Sequence, residues 1–123
     1  MGEAGEITKR LRGIEQECGW IAGEINFLNN RVDGFKERIK TLEAEMNHLQ
    51  QIQDAVSGPG EMTNDRLSGL MQQRRRNLVE IQYALPSTYE ELRKLETVLL
   101  NLQQEAFQLA ISLSFTSMSI GSN

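Results

Sequence analysis

Apolar residues recur along the first half of this chain at alternating spacings of four and three, without a miss. They fall at Ile7, Leu11, Ile14, Cys18, Ile21, Ile25, Leu28, Val32, Phe35, Ile39, Leu42, Met46 and Leu49. A mean spacing of 3.5 residues keeps every one of these side chains on one stripe of an α-helix, whereas a strand needs a period of two. In heptad letters, Leu11, Cys18, Ile25, Val32, Ile39 and Met46 take a. Ile14, Ile21, Leu28, Phe35, Leu42 and Leu49 take d. Gln53 dilutes the seam and Val56 ends it. The pattern predicts a coiled-coil helix over about 6–56.

Ser57-Gly58-Pro59-Gly60 then interrupts any helix, and a turn is expected over 57–63. Thr63, Asn64 and Asp65 offer N-cap oxygens for a second helix over about 64–113. In that arm the alternation returns at 67, 71, 74, 78, 81, 85, 88, 92, 95, 99, 102, 106, 109 and 113. Met71, Arg74, Ile81, Thr88 and Ala106 fill five of these positions, and leucine fills the others. Pro86 lies inside the run, and Ser87 with Glu90 forms a capping box at which a helix can restart. The heptad phase survives the proline, so a kink is expected and not a change of direction.

Two arms of equal length, each roughly 75 Å at 1.5 Å per residue, predict an all-α antiparallel helical hairpin with a Pro-kinked second arm. A three-helix bundle, with a true turn at Pro86, is the alternative. Residues 1–123 read as a single helical domain. In a hairpin centred near residue 60, facing residues have numbers summing to about 120. That register brings Arg74, Arg75 and Arg76 near Glu43 and Glu45, Glu80 near Lys40 and Arg38, Glu90 and Glu91 near Arg31, and Arg93 near Glu24. Pro86 falls opposite Gly34. Glu105 against Glu15 is the one poor match, with Arg10 and Arg12 close by. Exposed pairs are worth a few tenths of a kcal/mol each, so they choose register more than they stabilise it.

A two-helix seam leaves other apolar groups without cover. Trp20 and Phe27 both take c, one heptad apart, in a column with Gly13 and Gly34; Gly19 and Gly23 flank Trp20. Glycine costs a helix interior up to ~1 kcal/mol relative to alanine, which suits a face where another helix packs closely. The plainer reading is surface glycine with an aromatic lying over its own helix. The end of arm two is charge-poor: from Thr97 to Asn123 the only charged side chain is Glu105. Val98, Leu100, Phe107, Ala110 and Ile111 lie off the seam there. A helix apolar on more than one face is buried by something else. Ile111, Leu113 and Phe115 also alternate with Ser112, Ser114 and Thr116, a two-residue period that suits a strand. The tail over 114–123, with Met118 and Ile120, is therefore open between a strand, a longer helix and a frayed terminus. The expected interface residues are Trp20, Phe27, Leu100, Phe107, Ile111, Leu113 and Phe115, which points to helix packing in an oligomeric bundle of unspecified number.

Little chemistry is available. A single cysteine, Cys18, excludes an internal disulfide and a multi-cysteine zinc site, and at an a position it reads as a small core residue. The single histidine, His48, completes a Glu45-x-x-His48 motif of the spacing seen in di-iron bundles. That site needs a second motif and further glutamates, and the arginines expected nearby oppose a cation. Cys18 and His48 lie roughly 45 Å apart along one helix, too far for a thiol dyad. There is no phosphate loop and no nucleophile elbow. No enzyme activity, cofactor, metal or small-molecule substrate is expected.

The net charge of −4 is spread over both halves. Neither half makes a basic arm, which argues against nucleic acid. Arg74-Arg75-Arg76 is the one basic run, without interleaved aromatics for base stacking. The opening Met-Gly-Glu-Ala-Gly-Glu lacks the apolar region of a signal peptide, and no apolar run reaches the ~20 residues of a membrane span, so a cytoplasmic address is expected. The leading expectation is a non-enzymatic coiled-coil assembly or adaptor subunit whose partner is protein, either itself or a helical hetero-partner. The alternatives are a bacterial export chaperone or secreted filament subunit of helical-hairpin type, and a binder of nucleic acid or acidic membrane through Arg74–Arg76.

Overall fold

The computed structural model describes residues 2–56 and 61–121, with side chains over 2–56 and 64–116. Two helices pack against each other: α1 (Glu3–Ala55) and α2 (Glu61–Gly121). No strand occurs among the described residues. The expected turn at Ser57-Gly58-Pro59-Gly60 lies outside them, as do Ser122 and Asn123.

Both expected ends of the second arm move. Helix α2 begins at Glu61, so Thr63, Asn64 and Asp65 sit within its first turns and not at its cap. Asn64 is left half-buried, and its Oδ1 has no hydrogen-bond partner among the described residues. Helix α2 also passes Pro86 without a break, so Ser87 does not start a new helix and no third helix forms among the described residues. Finally, the serine-rich end stays helical to Gly121, and the two-residue alternation makes no strand. The spacing shows why: Ile111 and Phe115 are also four apart, and Thr116 Oγ1 donates to the Ser112 carbonyl at 2.9 Å, a bond available on a helical turn. Met118 and Ile120 have side chains outside the described set.

Two compact units each take a stretch of both helices, one from Met1–Asn29 with Glu91–Asn123 and one from Asn30–Glu90. In the first unit, Ile14, Ile21 and Leu102 form a buried cluster. Cys18 and Ile25 from α1, and Leu95, Leu99, Ala106 and Leu109 from α2, pack around it. In the second unit, Val32, Leu42, Leu67 and Met71 are buried, and Leu42 is wholly enclosed. Every a and d residue from Ile7 to Gln53, and from Leu67 to Leu113, is buried or half-buried. Burial thus follows the 3.5-residue repeat in both units, because these are the positions on each helix that the other helix can cover.

Thr88 and Pro86 show how the second unit tolerates breaks in that pattern. Thr88 is a buried seam residue whose hydroxyl donates to the Ala84 carbonyl at 2.9 Å, so its polarity is satisfied on its own helix. Pro86 is exposed, and so is Gln82, whose carbonyl loses its usual donor to the proline ring. Gly34, expected to make room for the proline, has open space where a Cβ would stand. An alanine fits there, so the glycine is not required by packing within the chain.

These placements fix different outcomes for three substitutions. Leu42→Ala is expected to lower unfolding stability by about 2–5 kcal/mol, the range for emptying a fully buried leucine site. Tyr83→Ala, at an exposed position, is expected to change it by less than about 0.5 kcal/mol. Pro86→Ala is expected to raise it by about 2–3 kcal/mol, because the restored N–H and relieved ring clash meet no packed neighbour. Chemical denaturation followed by far-UV circular dichroism checks all three; a destabilised Pro86→Ala would mean that the seam depends on the proline.

Candidate interaction surface

The surface that the seam leaves over is rich in aromatics in the first unit. Trp20 is 67% exposed, Phe27 61%, Phe107 68% and Phe115 66%. Leu100 and Ile111 are exposed as well. Six of the seven residues expected at an interface therefore lie on the outside of this unit. Leu113 does not: it is half-buried, because it holds the last a position of the seam. Val98 is exposed too.

The two helices contribute differently. On α1, Trp20 and Phe27 stand seven residues apart on the side away from Ile14 and Ile21, and Gly13, Gly19 and Gly23 surround them. A Cβ added at any of these glycines meets nothing within 4 Å. No described part of this chain uses the close approach that they permit. On α2, Leu100, Phe107, Ile111 and Phe115 fall within an arc of about 80° at 3.6 residues per turn, and that arc is turned away from Leu99, Leu102 and Ala106. It carries no charged residue from Thr97 to Phe115. A shallow groove beside Phe107, lined by Gln103, Gln104 and Gln108, is open to solvent.

Glu105, the lone charge of that stretch, is neutralised within the unit. Arg10 Nε lies 2.6 Å from Glu105 Oε2 and its second nitrogen 3.0 Å from Oε1, a bidentate pair. Glu17 stands 3.7 Å from the same guanidinium. The hydrogen bond from Arg10 holds the Glu105 carboxyl below the usual glutamate range, against the opposing effect of desolvation and with a smaller coulombic pull from the same arginine. The Arg10 guanidinium is correspondingly raised, first by the hydrogen bond to Glu105. Glu105 thus meets Arg10 in place of the poor match with Glu15.

In the second unit Arg74 Nε donates to Glu45 Oε2 at 2.9 Å, and its terminal nitrogen donates to the Leu70 carbonyl at 3.3 Å. The arginine is half-buried at its seam position. Glu43, Arg75 and Arg76 are exposed. Glu45 is therefore occupied by a cation, and His48 is exposed one turn further along α1. Among the described residues no group of three or more histidine, cysteine, aspartate or glutamate side chains is placed to hold a metal. Two other side chains expected in cross-helix pairs take local partners. Lys40 lies 3.7 Å from Glu37, one turn away, and Arg31 sits 5.4 Å from the Phe35 ring centroid. On an exposed surface the partner one helical turn away is always within reach and costs less ordering than one across the seam.

Tyr83, Val79, Leu70 and Tyr89 are exposed apolar residues of the second unit that the motif reading passed over. Their heptad letters reveal them, since all four lie off the a and d positions. Val79 and Tyr83 are four apart and so share a face, but Arg76 lies one turn before Val79 and Glu80 follows it directly.

No helix among the described residues is long and apolar enough to cross a membrane. The chain matches no family model, no curated protein and no solved structure.

The Arg10–Glu105 pair sets a pH expectation. Glu105 has its folded pKa below the unfolded one, so its stabilisation is present above the unfolded value and is lost as pH falls through the folded value. Arg10 stays protonated throughout that range, so the pair is lost only through protonation of Glu105. Stability of the native chain is expected to exceed that of Glu105→Gln at neutral pH and to converge on it below the ordinary glutamate range, ~4.3. Urea midpoints of both proteins across an acid titration check this; parallel curves would mean that the pair contributes nothing.

Proposed function

We propose that this chain is a non-enzymatic assembly or adaptor subunit, a coiled-coil hairpin that presents one end to partner helices. The observation that carries the reading is the division of apolar residues in the first unit. The seam positions are covered, while Trp20, Phe27, Phe107 and Phe115 remain mostly in water. Monomeric proteins rarely leave several large aromatics of one unit exposed, whereas interfaces are enriched in them. The antiparallel register is supported by the Arg10–Glu105 and Arg74–Glu45 pairs, in which an early residue of one helix meets a late residue of the other within the first unit, and a late one meets an early one within the second. The open space around Gly13, Gly19 and Gly23 adds to this, because it accommodates the close approach of a further helix.

The filament-subunit alternative draws on the same charge-poor end and differs in expecting open-ended growth in place of a closed complex. The binder of nucleic acid or acidic lipid has less support. Arg74 is committed to Glu45 and Leu70, which leaves Arg75 and Arg76 as the remaining cations of the run.

The reading is tested in the cells that make the protein, with a photo-activatable amino acid replacing Trp20, Phe27, Phe107 or Tyr83 one at a time. Discrete protein adducts are expected from the first three sites and not from Tyr83. Adducts of equal yield at Tyr83, or none at any site, contradict an interface on the first unit.

A further inference from the structure

We propose that the outer stripe of α2 docks on the same stripe of a second copy, antiparallel and about a two-fold axis near Phe107. This rests on the assembly reading above and names its partner. The first argument is register. Leu100 and Phe115 lie at equal distances from position 107–108, Phe107 lies beside that centre, and Ile111 mirrors Gln104. When the stripe is placed against its own inverted copy, residues whose numbers sum to about 215 face each other. Leu100 then meets Phe115, Gln104 meets Ile111, and Phe107 meets Gln108 beside the other Phe107. An isologous dimer requires such a self-complementary patch.

The second argument is charge. The stripe carries none from Thr97 to Phe115, and Glu105, on another side of the helix, is held by two hydrogen bonds from Arg10 of its own chain. A second copy therefore brings no like-charge repulsion, and the antiparallel order also opposes the two helix dipoles. A lipid surface would be met by a helix with cations along its polar face, and α2 has no lysine or arginine beyond Lys94.

The third argument is area. The four side chains expose on the order of 400 Å² of apolar surface, taking roughly 150–250 Å² for a large side chain. At the ordinary apolar share of an interface, about 56–58%, that corresponds to about 700 Å² per copy, against ~800 Å² for a standard partner. The open groove lined by Gln103, Gln104 and Gln108 receives Phe107 of the other copy, and the carboxamides form the polar rim.

Sedimentation velocity of the full chain at micromolar concentrations tests this, together with Phe107→Glu, Leu100→Glu and Phe27→Glu, each checked for native helicity by circular dichroism. A dimer is expected for the native chain and for Phe27→Glu. The dissociation constant is expected to rise on the order of 30-fold or more for Phe107→Glu, as for a central aromatic anchor. Orientation is read by oxidation in a Cys18→Ala background. Gln108→Cys alone is expected to form a disulfide dimer, and Leu100→Cys only when mixed with Phe115→Cys. A monomeric native chain, or a dimer indifferent to both glutamate variants on α2, overturns the proposal. If Phe27→Glu alone dissociates the dimer, this face is wrong while the assembly reading stands. If the chain is monomeric and in-cell adducts persist on another protein, the second-copy occupant is wrong and the adaptor reading stands; if both are absent, both fail.

Discussion

Every other property of this protein depends on the burial of one apolar residue in every three or four. Two helices can cover only a narrow stripe of each other, and the chain supplies apolar groups to that stripe with an unbroken repeat. Ile14, Leu42 and Leu102 are buried because they sit on it, and Trp20 and Phe107 are exposed because they do not. Hydrophobicity alone does not distinguish these residues; heptad position does. The seam even retains polar members, Thr88 and Arg74, by giving each a partner: the Ala84 carbonyl for the first, Glu45 and the Leu70 carbonyl for the second.

Charge has a subordinate part. The cross-helix pairs Arg10–Glu105 and Arg74–Glu45 lie at or beside the seam, where the helices already hold the side chains close. Farther out, Lys40 and Arg31 turn to neighbours on their own helix, Glu37 and Phe35. An outer pair across the seam would have to order two long side chains for little gain. The pairing of Glu105 also balances the one charge in a stretch of α2 that otherwise carries none.

Much of the fold was legible in the sequence because the heptad repeat states both helix and face. The covered positions and the two-helix content follow from a phase that never slips, whereas at Pro86 the helix runs on without the break that Ser87 and Glu90 would allow. What was not legible lay where local chemistry and helix continuity compete. Thr63, Asn64 and Asp65 have the chemistry of a cap, yet the helix starts before them. The Ile-Ser-Leu-Ser-Phe-Thr alternation has the period of a strand. Helix α2 nevertheless continues through Ala110 and Ile111, because propagation adds a hydrogen bond per residue and no breaker intervenes. The aromatic stripe on the surface can be read from heptad letters. The same letters put Leu113 on the seam, where it is half-buried, although its place in the alternation groups it with the exposed Ile111 and Phe115.

If the outer face of the first unit is covered by protein when the chain works, amide hydrogen exchange of the full chain across a dilution series shows it most directly. Residues 97–116 are expected to be protected at high concentration and to lose that protection on dilution, while the buried cluster around Ile14 and Ile21 changes less. Exchange over 97–116 that responds neither to concentration nor to added cell extract would contradict the account.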